Sequence, residues 1–443
     1  MTESADRPSS ALHTDRYELT MLGAALRDGT ADIPCVFEMF ARRLPGGRRY
    51  GVVAGSGRLL GLLRAFRFGE SELAFLRDER IVDAETLTHL ENYRFRGSIS
   101  GYREGELYFP GSPVLTVTGT FADAVVLETL ALSVLNHDSA IATAAARMST
   151  AAGGRPLAEM GSRRGGEESA IAAARAAYIA GFAATSNLEA GRRWDIPTMG
   201  TAAHAWTLLH DSEEDAFRAQ VAALGEGTTL LVDTYDIRRA VETAVRVAGT
   251  RLGGVRIDSG DLPIIATEVR SQLDALGATE TRITVTSDLD EYAIAALAAS
   301  PVDSYGVGTS VVTGSGVPTA GMVYKLVARH DASGRWIPVA KSSSAKTSVG
   351  GRKSAYRTLQ RGVAESELVI VDGSDASASI PTAARSLQVP LIVDGEIDTA
   401  AEGPSGTRAA RAHHASARAE LPLQALALSK SDAALATVMM GRS

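Results

Sequence analysis

Six consecutive residues, Arg256-Ile257-Asp258-Ser259-Gly260-Asp261, place an arginine, two carboxylates, a hydroxyl and a glycine directly after the apolar run GGV. A purely structural role would have to pair or solvate all three charges. A phosphorylated ribose, by contrast, would use Asp258 on its hydroxyls and Arg256 on a phosphate or on an anionic ring. Similar residue types follow other short apolar runs: Arg163-Arg164, Thr185-Ser186-Asn187, His204, Asp233, Asp288 and Gly306-Val307-Gly308-Thr309. Arginines suit polyanions, carboxylates suit sugar hydroxyls or a metal, and glycines let backbone N–H groups approach a phosphate. The mixture points to a phosphorylated sugar.

Each signal has a plainer reading. Gly306-Val307-Gly308 is a GxG that a tight turn explains without any ligand. Arg163-Arg164 could be a solvated pair, which is how Arg192-Arg193 and Arg238-Arg239 read. Its place between the run PLAEMG and Gly165-Gly166 is instead a loop setting in which an anion can be reached. An isolated histidine is ordinarily a hydrogen-bonded core or surface residue. His204 sits among small residues in GTAAHAW, within the same set of strand ends, and there the functional reading prevails. The pair His413-His414 lies in an Arg/Ala-rich helical run and reads as part of a solvated packing element.

These residues need elements to hold them. Between residues 151 and 330, short apolar runs (PLAEMG, IPTMGT, TTLLVDTY, GVRIDS, RITVTSD and VDSYGVG) alternate with helical patterns such as SAIAAARAAYIAGF and DIRRAVETAVRVAG. Repeated β-loop-α units predict a parallel sheet. This many of them, without two-residue hairpins, favour a closed or nearly closed α/β barrel whose strand ends gather at one mouth. Residues 1–150 read differently: a loose tail to residue 10, an amphipathic helix over Leu12 to Arg27 opening at Thr14-Asp15, and short turn-bounded strands in CVFEMFARRL, RGSISGYREGELYF and VLTVTGT. A helical Ala/Leu period from Ala122 to Met148 follows. Residues 331–443 carry SSSAKTSVGGRKS, a strand in ELVIVDG, a Gly/Ser loop near 403–406 and a final helix, and are expected to pack on the first domain.

With 45 Lys+Arg against 52 Asp+Glu, the net charge of −7 excludes a general nucleic-acid binder, whose surface would be basic. At 45% hydrophobic and 22% charged, the chain can bury a large core and is not disordered. Its single cysteine, Cys35, can form no internal disulfide, and MTESADRPSS lacks the basic and apolar regions of a signal peptide. The cytoplasm is the expected compartment. The most apolar region, Leu115 to Ala146, is interrupted by Asp123, Glu128, Asn136, His137 and Asp138, so no membrane span is expected.

Taken in order, LHTDRYELTM, EMGSRRGGEE, AAYIAGFAATSNLEAG, IPTMGTAAHAW, LLVDTYD, VRIDSGDL, SYGVGT and AKTSVGGRK make the chain resemble the nicotinate phosphoribosyltransferases, of the type II phosphoribosyltransferase group. The resemblance implies an irregular α/β barrel packed against an α+β domain formed by both chain ends. It implies transfer of phosphoribosyl from 5-phosphoribosyl diphosphate to nicotinate, with Mg²⁺, giving nicotinate mononucleotide and diphosphate for NAD salvage. It further implies coupling to ATP hydrolysis through a phosphorylated histidine, here His204. By the same resemblance Arg256 and Asp258 join His204 as catalytic residues, and Tyr17 stacks on the pyridine ring from a neighbouring subunit, which makes a homodimer with shared sites. The expected substrate-binding set is Tyr17, Arg163, Arg164, Thr185, Ser186, Asn187, Thr201, Ser259, Gly260, Asp288, Gly306, Gly308 and Thr309. Asp233, Asp258 and Asp288 leave the Mg²⁺ ligands open.

Two positions depart from the pattern. Gly165-Gly166 stands where the family often has Thr-His, and Ser342 follows Lys341 where a second basic residue is common. The alternatives are a nicotinamide-using enzyme, a decarboxylating quinolinate enzyme, or a catalytically dead relative that binds mononucleotides. Joint retention of His204, Arg256 and Asp258 speaks against the last.

Overall fold

The computed structural model describes residues 8–341, 349–372 and 380–441. The chain divides into two compact units, Met1–Ala140 with Thr319–Ser443, and Ile141–Pro318. The first boundary falls inside the long helix Glu128–Ala151.

In the first unit, both chain ends supply one seven-stranded sheet. Its spatial order is Trp336–Pro338, Met322–His330, Pro34–Ala41, Leu115–Thr120, Ser98–Tyr102, Gln388–Val393 and Glu396–Ile397, with every pairing antiparallel. The helix predicted over Leu12 to Arg27 runs Arg16–Asp28, preceded by Asp15 and ended by Gly29 at φ 78°, a left-handed cap that glycine adopts without strain. It buries Leu19, Leu22 and Ala25 in the core that also holds Met39, Val117 and Tyr324. Of ELVIVDG, residues 367–371 form the end of the strand Val363–Val371, and Gly373 lies outside the described residues. The residues read as a loop near 403–406 instead open the helix Gly403–Ala419, where Pro404 fits the first turn because that N–H needs no partner. On this helix His413 Nε2 bonds the buried Glu106 at 2.9 Å, and His414 Nδ1 bonds the Gly105 carbonyl at 3.1 Å. Both are structural contacts. Ser342 and most of the segment SSSAKTSVGGRKS lie outside the described residues.

The second unit is built on a six-stranded parallel sheet: β1 (Leu157–Glu159), β2 (Ala184–Thr185), β3 (Thr229–Leu231), β4 (Gly254–Ile257), β5 (Arg282–Ser287) and β6 (Ser304–Val307). Helices Glu167–Ile179, Ile237–Ala248 and Leu262–Ala275 follow β1, β3 and β4. The spatial order β2-β1-β6-β5-β4-β3 is cyclic in sequence, as in a barrel, and the ladder is open only between β2 and β3. IPTMGT, expected as a strand, contributes a single bridge from Thr198 to Thr185. Pro197 lacks a backbone N–H, so this segment cannot extend a ladder through that position. The stretch Phe121–Ala151 is long and apolar enough to cross a bilayer, yet 67% of its apolar window is buried inside the chain, as befits a core helix.

Candidate active site

The open seam between β2 and β3 is spanned by side chains. On one side, the segment after Thr198 carries Thr201 and leads to His204, the first residue of the helix His204–Leu209. On the other, β3 is followed by Asp233-Thr234, and β4 closes with Arg256-Ile257 and is followed by Asp258. The Arg256 guanidinium donates from Nη1 to the Thr201 hydroxyl, and His204 Nδ1 lies 3.1 Å from the Thr234 hydroxyl. Short strands end early here, and polar side chains take up the contacts that a ladder would otherwise make.

Two carboxylates face the imidazole. Asp233 Oδ1 and Asp258 Oδ2 each lie 3.9 Å from His204 Nε2. Asp233 is the buried member of the pair. Its Oδ2 accepts the Asp258 N–H at 3.0 Å and the Ser259 hydroxyl at 2.7 Å, which fixes the turn after β4. Its Oδ1 is buried without a hydrogen-bond partner, as is Arg256 Nε. Asp258 is held from the other side by the Thr286 hydroxyl of β5, bonded to Oδ1. Burial pulls the Arg256 guanidinium below its ordinary range and Arg163 adds to that, while Asp258 and Asp233 oppose it. An incoming anion would offset both of those influences by favouring the charged guanidinium.

A second cluster stands at the ends of β1 and β2. Glu159, 1% exposed, accepts the Gly161 N–H on Oε1 and the Thr185 hydroxyl at 2.6 Å on Oε2. Its carbonyl accepts the Ser186 N–H at 2.8 Å. Thr185 Oγ1 accepts the Asn187 N–H at 3.0 Å, and the Asn187 side-chain amide reaches Ser162 Oγ at 3.2 Å. Burial pushes the Glu159 carboxyl up, with the Thr185 and Gly161 hydrogen bonds working against it.

The remaining candidates differ in what their positions explain. Arg163 and Arg164 are exposed in the loop after β1, with Gly165 and Gly166 exposed beside them. Gly306 is buried within β6, where a Cβ would lie 2.5 Å from Thr286 Cγ2 and 2.6 Å from Met160 Sδ, so packing alone requires glycine. Gly308 follows that strand and caps the short helix that begins at the exposed Thr309. Gly260 has φ 90°, a left-handed turn between Ser259 and Asp261. Asp288 is exposed beyond β5. Tyr17 belongs to the first unit, on Arg16–Asp28, and is 46% exposed; partial burial, then Glu128 and Glu18, push its phenol up to about 12.

Three members of these networks, Glu159, Thr234 and Thr286, were not singled out from sequence. Glu159 is the acid in PLAEMG, Thr234 follows β3 in TTLLVDTY, and Thr286 is the penultimate residue of β5 in RITVTSD. The strand-end rule that found their neighbours covers them too, but a lone hydroxyl or carboxyl carries little compositional signal.

A family model described as the nicotinate phosphoribosyltransferase (NAPRTase) N-terminal domain matches residues 12–136. The chain is 55% identical to nicotinate phosphoribosyltransferase pncB1 of Mycobacterium tuberculosis, over 98% of this chain and 96% of that protein. It is 38% identical to the nicotinate phosphoribosyltransferase of Bacillus subtilis, over 81% of this chain and 75% of that one. The crystal structure of human nicotinic acid phosphoribosyltransferase superposes with a TM-score of 0.81 at 26% identity, covering 96% of this chain and 97% of the human one.

Proposed function

The chain belongs to the nicotinate phosphoribosyltransferase family, and from that premise we propose that it transfers phosphoribosyl from 5-phosphoribosyl diphosphate to nicotinate in NAD salvage, coupled to ATP hydrolysis. The observation that carries this reading is the 55% identity across almost the whole of both chains.

In the transfer, the bond between the anomeric carbon and the diphosphate oxygen breaks, and the pyridine nitrogen bonds to that carbon. The centre is oxocarbenium-like in between, so catalysis consists of holding the nitrogen in line and stabilising charge on the leaving group. Asp258, positioned by Thr286 and by the turn tied to Asp233, accepts from ribose hydroxyls. Arg256, with a buried and unpartnered Nε, and the exposed Arg163 compensate the anions. Tyr17 supplies a stacking face from a partner subunit, so the active species is a homodimer. In the ATP half-reaction a ring nitrogen of His204 attacks the γ-phosphorus, the bond to the β-phosphate oxygen breaks, and ADP leaves. Water later takes the phosphoryl group from His204.

Mg²⁺ fits the donor set in a limited way. Among the described residues no group of three or more metal-ligating side chains occurs, but Mg²⁺ commonly binds through one or two carboxylates with substrate phosphates and water. Asp233, whose Oδ1 has no partner, and Asp258 would hold it. When bound, it would neutralise charge on diphosphate. The proposed compartment is the cytoplasm.

One assay tests the reading. The protein is incubated with 5-phosphoribosyl diphosphate and, separately, nicotinate, nicotinamide or quinolinate, with and without ATP, and the nucleotide is identified. Nicotinate mononucleotide, formed faster with ATP, is expected. Selective use of either other base would replace the reading, and absence of any nucleotide would leave a binding protein.

A further inference from the structure

We propose that Glu159 is a positioning residue for the pyridine substrate, a buried strut that holds the end of β2, with Ser186 and Asn187, against the loop carrying Arg163. This rests on the proposed nicotinate-transferring activity and extends it to a side chain that touches neither substrate.

The geometry is that of a two-sided clamp. The carboxylate uses one oxygen for each neighbouring strand end: Oε1 for the Gly161 N–H after β1, and Oε2 for the Thr185 hydroxyl at 2.6 Å in β2. Its carbonyl holds the next residue through the Ser186 N–H at 2.8 Å. The clamp continues outward, because Thr185 Oγ1 takes the Asn187 N–H at 3.0 Å while the Asn187 amide reaches Ser162 Oγ at 3.2 Å. No alternative solvation is available to a group 1% exposed. The fit is close on the loop side as well: a Cβ at Gly161 would lie 2.9 Å from Glu159 Oε1. Strand β2 has only two residues and pairs with β1 through Ala158–Ala184 and Glu159–Thr185. So short a ladder leaves the direction of Ser186 to be set by side chains.

Glutamine at this position separates the two halves of the clamp. A peptide N–H can only donate, so the single amide oxygen must stay with Gly161. The amide N–H₂ then faces Thr185, whose hydroxyl has to turn and accept, so the bond from a carboxylate to the segment 185–187 is replaced by a weaker neutral one while the loop keeps its acceptor. Glu159→Gln is therefore expected to raise KM for nicotinate by about five- to tenfold, the difference between a charge-assisted and a neutral hydrogen bond. KM for 5-phosphoribosyl diphosphate should change by less than about twofold if the loop is retained.

The second arm uses Thr185. Thr185→Val removes the hydroxyl while keeping the shape, and should reproduce the nicotinate defect; Thr185→Ser keeps the hydroxyl and should restore most of the affinity. The double variant Glu159→Gln/Thr185→Val should be no worse than the poorer single, since both break one link. A merely structural role predicts a lower Tm and fewer active molecules with both KM values unchanged, or both raised together. Either result, or a nicotinate KM within about twofold of wild type in folded Glu159→Gln, overturns the proposal. If Glu159→Gln does not fold, the Thr185 pair decides in the same way. A wild-type protein that makes no nicotinate mononucleotide instead overturns the activity on which the proposal rests.

Discussion

Replacing Asp233 by asparagine tests whether the buried carboxylate beside His204 repels a phosphoryl group on the imidazole. Its Oδ2 accepts from the Asp258 N–H at 3.0 Å and from Ser259 Oγ at 2.7 Å. A peptide N–H can only donate, so the asparagine oxygen must take that place, and the new N–H₂ falls where Oδ1 lay, 3.9 Å from His204 Nε2. The turn after β4 is preserved while the charge facing the ring is lost. At 4 Å a unit charge pair is worth about 1 kcal/mol in water and about 4 kcal/mol in a protein-like medium. With the His204 side chain 41% exposed, the lower half of that range applies. For a phosphoryl group on Nε2, relief of about 2 kcal/mol of repulsion corresponds to about thirtyfold more phosphohistidine at equilibrium. The assay is acid-labile label from γ-phosphate-labelled ATP, alongside steady-state ATP hydrolysis. His204→Ala serves as the zero: it should abolish both signals while retaining some nucleotide synthesis at high substrate. Labelling of folded Asp233→Asn within about threefold of wild type would refute the electrostatic argument. Undiminished labelling of His204→Ala would refute the phosphoryl acceptor itself.

Other outcomes follow from separate parts of the molecule. Mixing Tyr17→Ala with Asp258→Ala under subunit-exchange conditions should restore activity through hybrid dimers carrying one intact site; hybrids that form and stay inactive refute sharing. Ser186→Asp should lose nicotinate far more than nicotinamide in kcat/KM, by about one to two orders of magnitude, because a second carboxylate would face that of the substrate. Equal losses for both bases would remove Ser186 from specificity. Burial pushes the Glu213 carboxyl from 4.5 to about 7, with Arg239 opposing and Asp236 assisting. A raised acid pKa means the folded state holds a proton that the unfolded chain has released, so this contribution to stability is present below pH 4.5 and lost as pH rises to about 7. Glu213→Gln should therefore raise Tm at pH 8 relative to wild type and flatten the decline between those values; an unchanged pH profile would contradict the assignment.

What the sequence disclosed was decided by charge and periodicity. The β-loop-α alternation was legible because β3 to β6 are apolar runs bounded by polar residues, and RIDSGD was legible because three charges follow directly on an apolar run. Two readings went astray for local reasons. IPTMGT has the apolar look of a strand, yet Pro197 interrupts its donors and only the Thr198 bridge forms. GPSG has loop composition, yet Pro404 and a free first turn make it a helix start. Glu159, Thr234 and Thr286 were illegible because their roles depend on which strand ends become neighbours, and one sequence does not record that adjacency.

The open seam ties these observations together. A fully hydrogen-bonded barrel would join β2 to β3 by a rigid ladder, and a charge placed there would be met by fixed peptide groups. Here the join consists of Thr201 to Arg256 and His204 to Thr234, with two carboxylates 3.9 Å from the ring. In the proposed ATP half-reaction, a phosphoryl group on Nδ1 would displace the Thr234 contact. On Nε2 it would bring further negative charge against Asp233 and Asp258, which repel it unless a cation or Arg256 intervenes. Either way the modification acts on the join itself, and the same Arg256 and Asp258 are the groups proposed to hold diphosphate and ribose. On that proposal, substrate affinity would be coupled to the state of His204 by the shared side chains, without any need for a change elsewhere in the sheet.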